Sequence, residues 1–257
     1  MSLHARDIAL ELSGVKLLEG IDLSVKPGEV TAVLGPNGAG KTSLLRVLCG
    51  ELLPMAGDVS LAGEPIGHWS SVERARRLAV LPQHSLLDFP FFGEEVVMLG
   101  RTPHDTGREH DEAVVRQALE AVDGTHLARR VYTHLSGGEK QRIQLARVLA
   151  QVWEPVAGAE RFLVLDEPTS SLDLAHQRLT LATVRRLAER GVGILVVLHD
   201  LNLAARCADT LVLLQCGRMA FAGAPADVLT VDNIQQVFDV QASIGVHPVD
   251  GSPLVIT

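Results

Sequence analysis

The sequence contains little cysteine, few aromatic residues and no long apolar run. Its three cysteines, Cys49, Cys207 and Cys216, are an odd number and lie far apart, without a CxxC pair. This spacing argues against a disulfide framework and a zinc site, and it favours a reducing compartment such as the cytoplasm. The longest apolar runs, such as GILVVLH and TLVLLQC, have the length of strands, and the N-terminal segment lacks the apolar core of a signal peptide. We therefore expect a chain that neither crosses a membrane itself nor carries a recognisable export signal.

An excess of positive charge is also missing. The chain has 23 Lys and Arg residues against 31 Asp and Glu residues, which gives a formal net charge of -8. Constitutive nucleic-acid binding needs a large basic surface, so we expect no nucleic-acid partner. With 257 residues, of which 47% are hydrophobic, the chain can bury one full core. We expect a single domain over residues 1–257.

Strand-like and helix-like segments alternate along the chain, which is typical of an α/β domain with a mostly parallel sheet. The runs EVTAVLG, RFLVLDE and GILVVLH are nearly all apolar, as expected of central strands covered on both faces. Helical patterns such as EEVVMLGR and DEAVVRQALEAV predict a helical insertion at about residues 85–160. We expect an antiparallel β portion near the N-terminus, whereas the tail after about Ile234 has no clear pattern.

The stretch TAVLGPNGAGKTSLLRVLCG passes from a strand pattern through glycines into a helical pattern. It contains the motif GxxxxGK[ST], formed by Gly35, Pro36, Asn37, Gly38, Ala39, Gly40, Lys41 and Thr42. In a P-loop, backbone N–H groups bind phosphate oxygens, the lysine reaches the β- and γ-phosphates and the hydroxyl binds Mg²⁺. The alternative is a glycine-rich turn with an incidental lysine, but the strand before it and the helix after it favour the P-loop. Gly50 is predicted to cap the end of that helix.

Two adjacent carboxylates, Asp166 and Glu167, end the apolar run RFLVL. Charges at the end of a buried strand are costly unless a cation or a water molecule has to be positioned there. We therefore predict that Asp166 holds Mg²⁺ and that Glu167 is the general base for an attacking water molecule. The alternative is a solvated acidic turn.

The segment LSGGEKQR precedes the apolar-periodic helix IQLARVLAQ. Ser136 and Glu139 have capping-box spacing, so the segment can be a well-capped helix and nothing more. A serine hydroxyl, two glycine N–H groups and a helix dipole can also bind a γ-phosphate. The two interpretations are compatible.

Together these motifs resemble those of the nucleotide-binding subunits of ATP-binding-cassette (ABC) transporters, and the resemblance covers nearly the whole chain. It implies a P-loop NTPase fold that binds ATP and Mg²⁺ through residues 35–42 and Asp166, with Glu167 as catalytic base. It further implies that the nucleotide site of an opposing subunit is completed by Ser136, Gly137 and Gly138.

Three more residues take a role only through this resemblance. Gln83 in VLPQHS matches the family's glutamine that senses Mg²⁺ and the membrane partner, although a lone glutamine is more often a surface residue. Asp173 in SSLD matches a loop that crosses the dimer interface. His199 in VVLHD matches the histidine that contacts the γ-phosphate, whereas a lone histidine is more often structural.

The resemblance also implies partners. Such subunits form a homodimer that sandwiches two ATP molecules, and they dock on two membrane-spanning permease subunits that receive cargo from a substrate-binding protein. This places the chain at the cytoplasmic face of a bacterial inner membrane. Within the family, segments such as LDEPTSSLDLAHQ look most like those of the ATP-binding subunits of hemin importers, with iron-siderophore and cobalamin importers as alternatives.

The sequence departs from the family at the expected adenine contact. Members usually stack an aromatic residue on the base, but no aromatic residue occurs between Met1 and Trp69 here. Alignment puts Leu12 or Ser13 at that position. We expect adenine to pack on aliphatic side chains such as Leu12 or Val15, which leaves the preference for ATP over GTP open.

Other classes of protein fit the sequence less well. A non-transport ABC ATPase usually has two cassettes, a long coiled coil or basic arms, and a small-molecule kinase has no use for LSGGEKQR. A regulatory module without turnover would be expected to lack Glu167 or His199, and both are present.

The run HSLLDFPFFGEE after Gln83 is predicted to form the docking surface for the permease. Its three phenylalanines lie beside the predicted site, where exposed apolar area typically marks an interaction surface. The alternative is that the core of the insertion contains Phe89, Phe91 and Phe92.

Overall fold

The computed structural model describes residues 2–83, 87–155 and 158–257. The strands are β1 Leu3–Leu12, β2 Val15–Val25, β3 Val30–Leu34, β4 Ala56–Leu61, β5 Glu64–Pro65, β6 Leu78–Leu81, β7 Arg161–Asp166, β8 Val192–Val197, β9 Thr210–Gln215, β10 Arg218–Gly223, β11 Ser243–Val246 and β12 Pro253–Ile256. The α-helices are α1 Lys41–Leu48, α2 Ser71–Arg77, α3 Gly93–Met98, α4 Arg108–Ala121, α5 Gly137–Gln151, α6 Leu174–Glu189, α7 Leu201–Cys207, α8 Pro225–Val228 and α9 Val231–Phe238.

A mostly parallel sheet forms the centre of the fold, as predicted. Its strand order is β10-β9-β3-β8-β7-β6, in which only β10 pairs antiparallel with its neighbour. Every residue of β3, β7 and β8 is buried, which explains their unbroken apolar runs. Val197 of β8 lies opposite both Val33 of β3 and Asp166 of β7. The carboxyl ends of the three strands therefore meet at one edge.

The predicted antiparallel β portion near the N-terminus is confirmed. It is a sheet with strand order β2-β1-β4-β5. Buried side chains of β1 and β2 share one hydrophobic cluster with Leu44 and Leu48 of α1 and with Phe162 of β7. The antiparallel sheet and α1 thus cover one face of the central sheet, while a second cluster packs the other face against helices α3 to α9.

Helices α3, α4 and α5 occupy the predicted insertion between β6 and β7. The helices α3 and α5 come so close that a Cβ atom on Gly100, just after α3, would lie 2.1 Å from the carbonyl oxygen of Arg147. The buried Arg101 side chain ties the helices together through Asp111 at 2.7 Å and Glu154 at 3.3 Å. The predicted first residue of the insertion, Ser85, lies outside the described residues, and the single domain over residues 1–257 stays a prediction.

The tail that had no clear sequence pattern forms α9 and a β11–β12 hairpin. The hairpin packs on α7, where the Asn202 side chain donates to the carbonyl oxygen of Val255 at 3.0 Å and accepts from its N–H at 2.7 Å. These strands are only four residues long and are stabilised by tertiary contacts, so local periodicity did not predict them.

In the described parts of the chain, no helix is long and apolar enough to span a bilayer.

Candidate functional site

The loop between β3 and α1 has a backbone that only glycine fits at two points. Gly35 and Gly40 have φ angles of +154° and +102°, and Cβ atoms there would lie 2.2 Å from the carbonyl oxygen of Leu214 and 2.7 Å from that of Leu17. The loop is also held from outside, because the N–H of Gly217 donates to the carbonyl oxygen of Ala39 at 3.0 Å. Its shape is therefore fixed by neighbouring strands as well as by its own glycines. The predicted helix cap is confirmed, since Gly50 follows α1 in a left-handed conformation.

The Lys41 side chain folds back onto the first residues of this loop. Its Nζ donates to the carbonyl oxygens of Gly35 at 2.9 Å and Pro36 at 3.0 Å. Burial lowers the pKa of Lys41 from its usual 10.5, and the nearby Glu167 and Asp166 carboxylates oppose this shift. The ammonium group is thus held in place by the loop whose N–H groups would bind phosphate.

Thr42 and Asp166 form the second part of the site. The Thr42 hydroxyl donates to Asp166 Oδ2 at 3.0 Å, whereas Asp166 Oδ1 is buried and has no hydrogen-bond partner. Burial raises the pKa of Asp166 above its usual 3.8; the Thr42 hydrogen bond opposes this shift, and Glu167 adds to it. A cavity of about 240 Å³ opens beside both residues.

These two residues fit a magnesium ion. A buried carboxylate oxygen without a partner and a neighbouring hydroxyl are hard oxygen ligands of the kind that Mg²⁺ takes, with phosphate and water completing its shell. Within residues 2–83, 87–155 and 158–257, no group of three or more His, Cys, Asp or Glu side chains could hold a metal by itself.

The third part of the candidate site is centred on Glu167. Its Oε2 accepts from Gln83 Nε2 at 2.8 Å, and its Oε1 lies 2.5 Å from His199 Nε2. The Glu167 backbone has a φ of 52°, a left-handed conformation that is uncommon outside glycine and typical of functional sites. Gln83, Glu167 and His199 follow β6, β7 and β8 respectively, so the parallel register brings all three together.

The LSGGEKQR segment forms a separate part of the candidate site. Ser136 caps α5 in the predicted capping box with Glu139, and both Ser136 and Gly137 are exposed. A Cβ atom on Gly138 would lie 2.8 Å from the carbonyl oxygen of Ser171, close to Asp173, which caps α6. Among the described residues, no hydrogen bond or ion pair joins this part to Lys41, Asp166 or Glu167.

One contact of the site has no signal in the sequence. The turn between β9 and β10 packs against the P-loop, since the N–H of Gly217 donates to the carbonyl oxygen of Ala39 and a Cβ atom on Gly40 would lie 3.6 Å from the Gly217 Cα atom. The glycine in QCGRM is recognisable as a turn residue, but its partners lie some 180 residues away in sequence, too far for a local pattern to reveal.

The chain is similar to known proteins over nearly its full length. Residues 18–170 match the family model described as ABC transporter. The chain belongs to the ABC transporter family. It is 52% identical over 256 residues to the hemin import ATP-binding protein HmuV of Gloeobacter violaceus, covering 99% of this chain and 93% of that protein. It is also 52% identical over 254 residues to the protein of the same name from Pseudomonas fluorescens, covering 99% of each.

The fold is shared with solved ABC structures. A protein assigned to the metal-chelate type of ABC transporter, in an inward-facing conformation, superposes with a TM-score of 0.80 at 26% identity, covering 99% of this chain and 96% of that one. The predicted ABC family and P-loop NTPase fold are thus confirmed. The roles of the individual site residues stay predictions.

The first prediction concerns Glu167→Gln. The amide keeps the shape of the side chain but is a poor base, so we expect ATP hydrolysis to fall by roughly two to four orders of magnitude. ATP binding should persist, and size-exclusion chromatography with ATP should show a trapped dimer. Lys41→Ala should instead weaken ATP binding itself, and the exposed Glu64→Gln serves as control. Near-normal turnover in Glu167→Gln would move the base role elsewhere, with His199 next in order.

The second prediction concerns Asp166→Asn and pH. Because the pKa of Asp166 is raised, the stability that its proton confers is present at low pH and is lost as pH rises through the folded-state pKa. Near neutral pH the ionised carboxylate therefore costs stability, which the amide relieves. We expect the nucleotide-free variant to unfold at a higher temperature, by about 2–4 °C for each ~1 kcal/mol gained, and to lose Mg²⁺-dependent hydrolysis.

The control for this experiment is Asp58→Asn. Asp58 is an exposed carboxylate paired with Arg6 at 2.9 Å. The unfolding temperature and the Mg²⁺-dependent ATP hydrolysis of this variant should therefore stay near those of the wild type. A lower unfolding temperature for Asp166→Asn, measured by calorimetry without nucleotide or metal, would contradict the electrostatic argument.

Proposed function

We propose that this chain is the ATP-hydrolysing subunit of a hemin importer. The observation that carries hydrolysis is the Glu167 carboxylate, which lies between Gln83 and His199 beside the Thr42–Asp166 pair. A module that only binds nucleotide needs no oriented base next to its phosphate site. The arrangement favours phosphoryl transfer to water.

The residues divide the chemistry between them. Residues 35–42 would bind the phosphates of ATP, while Thr42, Asp166 and Gln83 would hold Mg²⁺, which would supply positive charge to neutralise the transferred group. Glu167 accepts the proton of the attacking water at its carboxylate. Gln83 and His199 orient that carboxylate, and His199 also contacts the γ-phosphate.

Two copies of the chain are needed in this proposal. The exposed N-terminus of α5, with Ser136, Gly137 and Gly138, presents a hydroxyl, N–H groups and a helix dipole to an anion outside its own subunit. Its separation from the P-loop group within one chain supports a head-to-tail dimer, in which Asp173 lies near the interface.

We propose that adenine packs on the turn between β1 and β2. Leu12 and Val15 there are 41% and 58% exposed, and Leu17 nearby on β2 contacts the P-loop region around Gly40. We propose that these aliphatic side chains cover the base in place of an aromatic ring. Contacts of this kind discriminate weakly between adenine and guanine.

The cargo assignment rests on the relatives. Proteins that are 52% identical over nearly their full length are named as hemin import subunits, whereas the metal-chelate type transporter is 26% identical. We therefore propose hemin as cargo, with iron-siderophore or cobalamin as the alternative. The chain would act at the cytoplasmic face of a bacterial inner membrane, on two permease subunits that a substrate-binding protein loads. These relatives weigh against a non-transport ABC ATPase.

The third prediction tests cargo. The chain is reconstituted in proteoliposomes with the permease and binding protein encoded beside it, and ATP hydrolysis is measured with the binding protein empty or loaded. We expect stimulation by the hemin-loaded protein only. Stimulation by a cobalamin-loaded or siderophore-loaded protein, with none by the hemin-loaded one, would overturn the hemin assignment and leave the importer in place.

A coupling surface, which we define as Gln83 and residues 87–95, is proposed to dock the permease. Phe89, Phe91 and Phe92 are 66%, 38% and 44% exposed, so they do not fill the core of the insertion. The rings of Phe89 and Phe91 lie 5.9 Å apart and form one apolar patch. The predicted surface also included His84, Ser85 and Leu86, which lie outside the described residues.

The fourth prediction is that Phe91→Glu leaves the basal ATPase activity of the isolated subunit near wild type and abolishes stimulation by the loaded transporter. A charge in the patch opposes burial against the permease. Leu53→Glu is the matched control, because Leu53 is an 87% exposed apolar residue outside the surface. Unfolding of the isolated Phe91→Glu subunit, measured by circular dichroism, would contradict the docking role.

A further inference from the structure

A chain of polar contacts joins α5 to the N-terminus of α6 through the end of α4. Arg142 on α5 donates from Nη1 to the carbonyl oxygen of Asp123 at 2.6 Å and lies 3.6 Å from its Oδ2. His176 on α6 places Nε2 at 3.5 Å from the same Oδ2 and Nδ1 at 2.9 Å from Asp173 Oδ1. The route from Arg142 to Asp173 therefore passes through two side chains, Asp123 and His176.

The two basic side chains of this network are shielded from solvent, whereas its two carboxylates are exposed. The side chain of Arg142 is 8% exposed and that of His176 is 26% exposed, against 68% for Asp123 and 66% for Asp173. Asp123 has a left-handed backbone with a φ of 52°, and both its carbonyl and its carboxylate contact these neighbours. A second tie lies alongside, since the Thr183 hydroxyl on α6 donates to the carbonyl oxygen of Ala121 at 3.0 Å. Because one partner of each of these contacts is shielded, they fix relative positions better than pairs of two exposed side chains do.

The two ends of the network belong to motifs that are far apart in sequence. Arg142 is the last residue of LSGGEKQR, whose Ser136 starts α5, and Asp173 is the last residue of SSLD. The N-terminus of α5 is proposed above to face the partner's nucleotide, and Asp173 at the N-terminus of α6 is proposed to lie near the dimer interface. A shift of α6 relative to α5 would misplace one of them.

We propose that His176 is a positioning residue that sets Asp173 and the N-terminus of α5 in one arrangement for the opposing subunit's site. The inference rests on the proposed function, because it presumes a composite site. It adds a residue to which none of the predicted phosphate, metal or base roles is assigned. His176 acts through Asp173 on one side and through Asp123 and Arg142 on the other.

Loss of the imidazole should leave the fold intact. The cap of α6 is kept by the His176 backbone N–H, which donates to Asp173 Oδ1 at 2.8 Å whatever the side chain. The Thr183 tie to α4 also remains. A change at this side chain therefore tests the relative position of the two helices and leaves their formation unchanged.

The fifth prediction uses two variants that each keep one half of the contact. In His176→Asn the amide nitrogen replaces Nδ1 and reaches only Asp173, whereas in His176→Gln it replaces Nε2 and reaches only Asp123. We expect both to lower kcat by roughly 2- to 30-fold, the usual range for a coupling residue. The KM for ATP should stay within about twofold, because binding to the P-loop is untouched. In the Glu167→Gln background, both should weaken the ATP-trapped dimer.

His110→Asn is the matched control. His110 is a histidine that pairs with Glu154 at 2.8 Å in the helical insertion, away from both motifs, so its kcat should equal that of the wild type. Wild-type kcat in both His176 variants, with normal hydrolysis in the control, would overturn the positioning role alone. If the His176 variants lost ATP binding and thermal stability as well as kcat, His176 would only stabilise the fold, and the positioning role would again be overturned. No hydrolysis in the wild type would overturn the proposed function and the positioning role with it.

Discussion

The parallel pairing of β3, β8 and β7 is the constraint on which the rest of the site depends. Its register sets Val33 and Asp166 opposite the same residue, Val197, so that three loops leave the sheet at one edge and at one height. This register brings the P-loop, the Asp166–Glu167 pair and His199 to the same edge of the sheet. A slip of one residue in any of these strands would turn its side chains to the other face and separate the groups.

The same edge concentrates charge at a cost in stability. Burial opposes ionisation of Asp166 and of Lys41, which shifts the pKa of the acid up and that of the base down. The buried Asp166 Oδ1 without a partner and the left-handed backbone of Glu167 add to this cost. Such features fit a site whose ligand supplies the missing contacts, because Mg²⁺ and phosphate would satisfy the oxygen and the ammonium group together.

Much of this protein could be predicted from local patterns. The P-loop, the carboxylates after an apolar strand and the capping box of Ser136 and Glu139 are each short, so that a few adjacent residues carry the whole signal. The contacts that hold these parts in place are long-range. The Gly217 turn against the P-loop, the Asn202–Val255 pair and the Arg142–Asp123–His176 network each join residues whose separation exceeds any helix or strand period. The exposure of Phe89, Phe91 and Phe92 was likewise open in the sequence, because aromatic residues occur both in cores and at interfaces.

The sequence by itself therefore determined the family, and it predicted the chemistry: which residues bind phosphate, hold a metal and accept a proton. Those properties follow from side-chain type and from spacing over a few residues. Tertiary structure alone decided which of these groups meet. It placed Glu167 between Gln83 and His199 and kept Ser136 and Asp173 in a second group apart from them, because strand register and helix packing depend on burial summed over the whole core.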